Sequence, residues 1–143
     1  MRFLARAHQL PARFAAGAII LNSGLGKQDA DKQTAAGLHG MAAGTYPFLE
    51  DMDPEEFTRL LSRAEIALGA ALLIPVVPSM LAGAALTAFA GGLLGLYLKT
   101  PGLRQEGSLR PTPDGNAIAK DVWLLGIGAG LVIEELVSCP GRP

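Results

Sequence analysis

From Ile66 to Leu98 the chain carries no charged, amide or imidazole side chain; only Ser79, Thr87 and two prolines, Pro75 and Pro78, interrupt the apolar run. As one straight helix this run would measure about 50 Å, well beyond the roughly 30 Å hydrocarbon core of a bilayer. The prolines remove backbone donors and break helical pairing, so the pattern predicts two helices joined by a tight turn over Pro75–Ser79. The preceding helix is predicted over 54–74 and the following one over 79–98. Asp53-Pro54-Glu55-Glu56 marks a helix start, with an N-cap aspartate, proline at the first position and glutamate in the first turn. Another helix is predicted over 7–26, with Pro11 near its beginning and Gly24-Leu25-Gly26-Lys27 at its end. A last helix is predicted over 117–136. Between the first two helices runs a polar connection, 28–56, whose Ala/Gly-rich middle, Thr34 to Leu49, is expected to form a short helix at the membrane interface or else a plain loop. The expected fold is all-α: an integral membrane, antiparallel four-helix bundle in one domain over 1–143, with both termini on one side.

Composition sharpens this picture. Half of the 143 residues are hydrophobic and only 17% are charged, against about 25% in soluble domains. A net charge of −1 gives no basic face for nucleic acid. The single cysteine, Cys139, excludes an internal disulfide or a Cys-x-x-Cys pair, and no Cys/His cluster suggests a metal. Arg2 and Arg6 precede an apolar stretch, Phe14 to Leu21, in the manner of a signal peptide. Arg13 interrupts that stretch and no small-x-small cleavage site follows, so a retained first helix is expected. Lys27, Lys32, Arg59, Arg63, Lys99, Arg104, Arg110 and Lys120 outnumber the basic residues of the terminal side, which places the loops in the cytoplasm. The N-terminal arginines argue the other way.

Few polar groups enter the apolar zone. Ile66–Ile74 is too short to span alone, so Glu65 is drawn in with it, about 15 Å along the axis from the proline turn. Such a carboxylate needs an ion partner or a raised pKa, and serves as a ligand-binding or proton-relay group, or else as a polar pin between helices. Arg13 is the expected partner by depth; its other reading is a guanidinium snorkelling to the interface. Asn22 and His39 are further candidates at the loop end, where His39 could close a headgroup-level pocket or shuttle protons, or be an incidental loop residue. Lys27, Tyr97, Lys120, Asp121 and Trp123 read as interfacial residues, the two aromatics forming a belt before they form a ring-stacking site. Gly83, Thr87, Gly91 and Gly95 recur at four-residue spacing, and Gly126 and Gly130 repeat the device, so these positions are expected to pack helices closely. His8 and His39 fall on opposite sides and the thiol lies in the tail. No catalytic residues are therefore assigned, and enzymatic activity of the isolated chain is not expected.

Arg13-x3-Gly17 with Gly24-x2-Lys27, then Glu65-x3-Gly69 and the short turn after it, then Lys120-Asp121-x2-Leu124-Leu125-Gly126, together resemble DoxX-like membrane proteins over roughly 11–27 and 58–136. The resemblance implies a four-helix bundle of the bacterial inner membrane. Members include small subunits named for a thiosulfate:quinol oxidoreductase system and are associated with redox and thiol-stress pathways. It implies an accessory subunit that binds a quinone-like lipid and supports a redox enzyme or membrane complex. A non-enzymatic scaffold docking its partner through the acidic segment 50–56 stays open beside it, as does a homo-oligomer.

The predicted topology has a direct check. Reporter fusions after Lys32 and Gly107 should report one side of the membrane, and fusions after Pro78 and Cys139 the other; any other pattern rules it out.

Overall fold

Asp53 accepts a hydrogen bond from the Glu56 amide at 3.2 Å and Pro54 takes the first helical position, so helix α3 (Pro54–Leu73) begins where its sequence dictates. It ends at Ile74, because Pro75 and Pro78 have no amide hydrogen with which to continue it. The chain turns there and α4 (Ser79–Lys99) starts. The computed structural model describes residues 4–138 apart from Pro101, Asp114 and Lys120. The remaining elements are α1 (Leu10–Lys27), α2 (Lys32–Thr45), the four-residue α5 (Asn116–Ala119) and α6 (Val122–Val137). Single 3-10 turns precede α1 at Ala7–Gln9 and follow α2 at Pro47–Leu49. Among the described residues the structure is helical, with one isolated bridge between Arg104 and Pro111 in the loop after α4.

Two elements differ from expectation in extent. The short helix expected in the connection is a 14-residue helix, α2, capped by Asp31, which accepts the Thr34 amide at 2.7 Å. That bond holds the Asp31 carboxyl below its usual range. Helix α2 packs on α3 and α4, with the small residues Ala35, Ala42, Ala43 and Thr45 buried. The last predicted helix is broken: α5 ends in a turn, closed by the Asp121 amide on the Ile118 carbonyl at 3.0 Å, before α6 begins. Asp121 thus stands at a helix end, not inside a helix.

The long helices form two antiparallel pairs, α1 with α3 and α4 with α6, and glycines set both crossings. Gly17 faces Gly69, and Gly24 faces Ser62 and Ile66. A Cβ on Gly69 would lie 2.7 Å from the Leu21 backbone nitrogen. In the other pair Gly83 and Thr87 face Gly128, where an added Cβ would lie 2.6 Å from the Thr87 hydroxyl oxygen. Backbones this close exclude any side chain larger than hydrogen. Ala16, Ile20, Leu68, Leu72, Ala82, Leu86 and Leu131 form the shared core between the pairs.

The predicted small-residue ladder is therefore correct only in part. Gly83 and Thr87 make the crossing, but Gly91, Gly126 and Gly130 have open space around them, and Gly95 faces the hydroxyl of Tyr46 rather than a helix backbone. The four-residue spacing is a stripe along α4, but two helices in contact diverge away from their crossing point, so only one end of the stripe is used. Gly128 is one turn-face away from the two glycines predicted on α6.

Beside the apolar core, some polar side chains are buried and some large apolar ones lie on the surface. Arg13, Ser62 and Ser79 are at most 2% exposed, whereas Ile19, Trp123 and Val137 are 66%, 68% and 71% exposed. Among the described residues one helix, α4, is long and apolar enough to cross a membrane by length and composition.

Gly69→Ala and Gly128→Ala should each push a helix pair apart and cost about 1–3 kcal/mol. Gly126→Ala and Gly130→Ala should cost nothing, or gain up to about 1 kcal/mol of helix propensity. Thermal unfolding of the purified variants in detergent checks the contrast, and equal losses at all four positions would contradict the crossing.

Candidate functional site

The antiparallel register set by the glycines decides where the polar groups meet. With Gly17 beside Gly69 and Gly24 beside Ser62, Arg13 falls next to the C-terminal end of α3, and Glu65 faces the last turns of α1. The expected Arg13–Glu65 pair does not form. The two lie at different levels because α1 and α3 cross in this register, which helix lengths alone do not specify.

Arg13 instead binds the proline turn. Nε donates to the Leu72 carbonyl at 3.0 Å, Nη1 to the Val77 carbonyl at 2.9 Å and Ser79 Oγ at 3.0 Å, and Nη2 to the carbonyls of Ala71 at 2.7 Å and Ile74 at 3.0 Å. These five acceptors use all five guanidinium N–H groups. The site is structural: a fully buried cation at the negative end of the α3 dipole. A polar chain extends from it. Ser79 Oγ donates to Gln9 Oε1 at 2.8 Å, and Gln9 Nε2 donates to Glu134 at 3.0 Å and Glu135 at 3.1 Å. Arg6 and His8 complete the cluster on Glu134, at 3.2 and 2.5 Å. Sequence reasoning missed Gln9, Glu134 and Glu135, since nothing in the apolar pattern of α6 says that its last turn folds back onto the N-terminal segment.

The partner of Glu65 is Lys27. Its Nζ lies 3.1 and 3.0 Å from the two carboxylate oxygens and donates to Ser23 Oγ at 2.6 Å. Side chains on a helix lean towards its N-terminus. Lys27, at the end of α1, therefore reaches back over Ser23 to a carboxylate just past the middle of α3. The Glu65 side chain is 5% exposed and that of Lys27 is 20% exposed. An ammonium so placed neutralises the carboxylate without the burial that a wholly internal pair would need.

This pair stands at one side of a partly open cavity of about 580 Å³ lined by residues of all six helices. Ile19, Ile20, Ser23 and Lys27 of α1 line it, with Leu38, Met41, Ala42 and Tyr46 from the α2 side. Phe57, Leu61 and Glu65 of α3 and Phe89, Gly92, Leu93 and Leu96 of α4 face them. Ile118, Asp121 and Leu124 complete the wall, and Asp121 is near enough to interact electrostatically with both Glu65 and Lys27. The lining is apolar apart from the few polar groups at this end, the pattern of a small-molecule site. Tyr46 Oη donates to the Gly92 carbonyl at 2.7 Å, so the end of α2 is tied across the cavity to α4, and the missing Cβ of Gly95 makes room for that hydroxyl.

The other sequence candidates fall elsewhere. Asn22 is exposed on α1, turned about 100° around the helix from Ser23, and leaves the candidate site. His39 Nε2 lies 2.7 Å from the Leu49 carbonyl and its ring meets Phe57 edge-on at 5.6 Å, so it pins α2 to the following turn. It does not line the cavity. Tyr97 is 6% exposed and donates to the Leu109 carbonyl at 2.5 Å, holding the loop after α4 rather than joining a surface belt. Trp123 is on the outside, as a belt residue would be. Lys120 and Cys139 lie outside the described residues. Among the described residues no group of three or more His, Cys, Asp or Glu is arranged to hold a metal ion.

No family model matches the chain, and comparison with curated proteins and with solved structures finds no similar protein. What the cavity does has to be argued from its own chemistry.

Breaking the Lys27–Glu65 pair from one side leaves a poorly solvated charge, so Glu65→Leu should destabilise the protein by about 3–5 kcal/mol. The double variant Lys27→Met/Glu65→Leu should recover most of that loss. A double-mutant cycle by unfolding in detergent gives the coupling directly, and additive effects would show that the two groups do not depend on each other.

Proposed function

We propose that the chain is a multi-pass protein of a bacterial inner membrane, of the DoxX-like kind, which holds a quinone-like lipid and supports a redox partner. The cavity carries this reading: an apolar chamber of drug-like size that ends in a compensated ion pair and a further carboxylate. An amphiphile with one polar ring and an apolar tail matches it in volume and in polarity. The large apolar side chains on the surface support a lipid surround. Exposed Ile19, Leu81, Trp123, Ile133 and Val137 would each be in contact with acyl chains, while Arg13, Gln9, Ser62 and Glu65 stay inside. Among the described residues α4 is the helix long and apolar enough to span by itself; on α1 and α3 the Lys27–Glu65 pair is compensated inside the bundle, while Arg59 and Arg63 of α3 are exposed.

An accessory role follows from the chemistry present. The groups at the cavity can orient a ligand and exchange a proton with it, but they supply no electron carrier of their own, so a partner has to provide the electrons. A second reading, a scaffold that docks a partner electrostatically, is favoured by the exposed acidic run of Glu50, Asp51, Asp53, Glu55 and Glu56 between α2 and α3.

Purification from membranes in mild detergent, followed by solvent extraction and mass spectrometry, tests the first reading. An isoprenoid quinone or similar amphiphile should co-purify at about one per chain, and Ala88→Phe, which fills the cavity from α4, should lose it. Absence of any co-purified amphiphile, together with a partner pull-down that is lost on neutralising Glu50–Glu56, would favour the scaffold instead.

A further inference from the structure

The cavity reaches the surface of the molecule at α1. Two of its lining residues there, Ile19 and Ile20, are neighbours in sequence and stand about 100° apart around the helix. Ile20 is 3% exposed and belongs to the apolar core, whereas Ile19 is 66% exposed. The cavity therefore runs round α1 from the core to the outside, and Ile19 stands at its rim. Gly17, Leu21 and Gly24 turn towards α3, which puts Ile19 on the other flank of the helix. Besides α3, α1 packs against α6, which contributes Leu124 to the cavity wall. Ala88 of α4 is also exposed, but on the side where α2 packs and Tyr46 is tied to Gly92 a turn further on.

The level of the opening is apolar. Ile19 lies six residues past Arg13 and eight before Lys27, about 9 and 12 Å along the axis. No charged residue falls between those two, and Phe14, Ala15 and Ala18 are exposed beside it. In a bilayer an opening at this level faces acyl chains rather than water or headgroups. Size matters as well. A cavity of about 580 Å³ encloses a drug-sized molecule. A ring head with a tail of many isoprene units is longer than that, and a closed pocket would have no place for the excess. An opening into lipid removes the difficulty, because a methylene that leaves the cavity there passes from one apolar surround to another.

We infer that the ligand's tail leaves the cavity sideways past Ile19, between α1 and α6, and lies among the acyl chains of the bilayer while the head stays at the Lys27–Glu65 end. The inference rests on the proposed reading of the cavity as an amphiphile site in a membrane. It adds the class of ligand: a long-tailed lipid taken directly from the bilayer, its tail length unrestricted by the volume of the cavity.

The test uses the full chain in lipid nanodiscs and two quinones with the same ring, decylubiquinone and a long-tailed polyprenyl ubiquinone, titrated separately. Both should bind. Ile19→Trp narrows the opening from an exposed position. It should weaken the polyprenyl form at least about tenfold while decylubiquinone changes less than about twofold, which also reports that the fold is kept. Ile133→Trp, at a similarly exposed position of α6 away from the cavity, should change neither. Equal weakening of both quinones by Ile19→Trp, no effect on either, or failure of the polyprenyl form to bind where decylubiquinone does would overturn the inference and leave the amphiphile site standing. So would a loss confined to the polyprenyl form in Ala88→Phe with Ile19→Trp silent, which would put the opening on α4. Failure of both quinones to bind at all, with Ala88→Phe making no difference, would overturn the site and the inference together.

Discussion

The buried guanidinium of Arg13 is the constraint on which the rest of the fold depends. A helix end leaves carbonyls without partners, and two prolines within four residues take away the amides that a turn would normally supply. In water those carbonyls would be solvated; here they are inside. One side chain of α1 meets four of them and the Ser79 hydroxyl besides, so α1, the end of α3 and the start of α4 are fastened at a single point. Its charge faces the negative end of the α3 dipole, and among the described residues no carboxylate comes within ion-pair distance of it. A lysine could not replace it, because three donors on a flexible stem cannot reach five acceptors arranged around a plane.

From that fixed point the two helix pairs diverge. Each is tight within itself, because glycine lets the backbones touch, and the pairs meet through a thin apolar layer around Leu68, Leu72 and Leu86. Farther from the turn the seam widens into the cavity, and α2 covers it, tied down by Tyr46 at one end and by His39 along its length. The cavity is thus a product of the packing: glycine crossings near the turn force separation elsewhere.

Much of this was legible in the chain. The apolar run with its two prolines marks the α3–α4 turn, Asp53-Pro54 marks the start of α3, and Glu65 stands out because no apolar segment beside it is long enough to do without it. Its partner was not legible. Depth counted along single helices puts Arg13 nearer to Glu65 than Lys27; the actual level is set by which glycines touch, a property of two helices together. Asn22 and Ser23 are adjacent in sequence but about 100° apart around the helix, so an assignment by depth alone selects the wrong neighbour. The role of α2 was hidden for a related reason. Its alanines and glycines give almost no amphipathic signal, yet small residues are what lets it lie close against α3. Glu134 and Glu135 escaped because their partners lie in the N-terminal segment, brought there only by the complete fold.

The layer formed by Leu68, Leu72, Leu86 and Leu131 has a consequence for transport. It separates two polar clusters that a chain of side chains would otherwise connect: Lys27, Glu65 and Asp121 on one side, Arg13, Ser79, Gln9 and Glu134 on the other. In a bilayer these clusters would face opposite compartments. A buried carboxylate reached from one side and an arginine network reached from the other are the ingredients of a conducting path, and four leucines stand between them with no hydroxyl, amide or charge to bridge the gap. Were the bundle placed in a bilayer, this layer would keep the two polar ends apart.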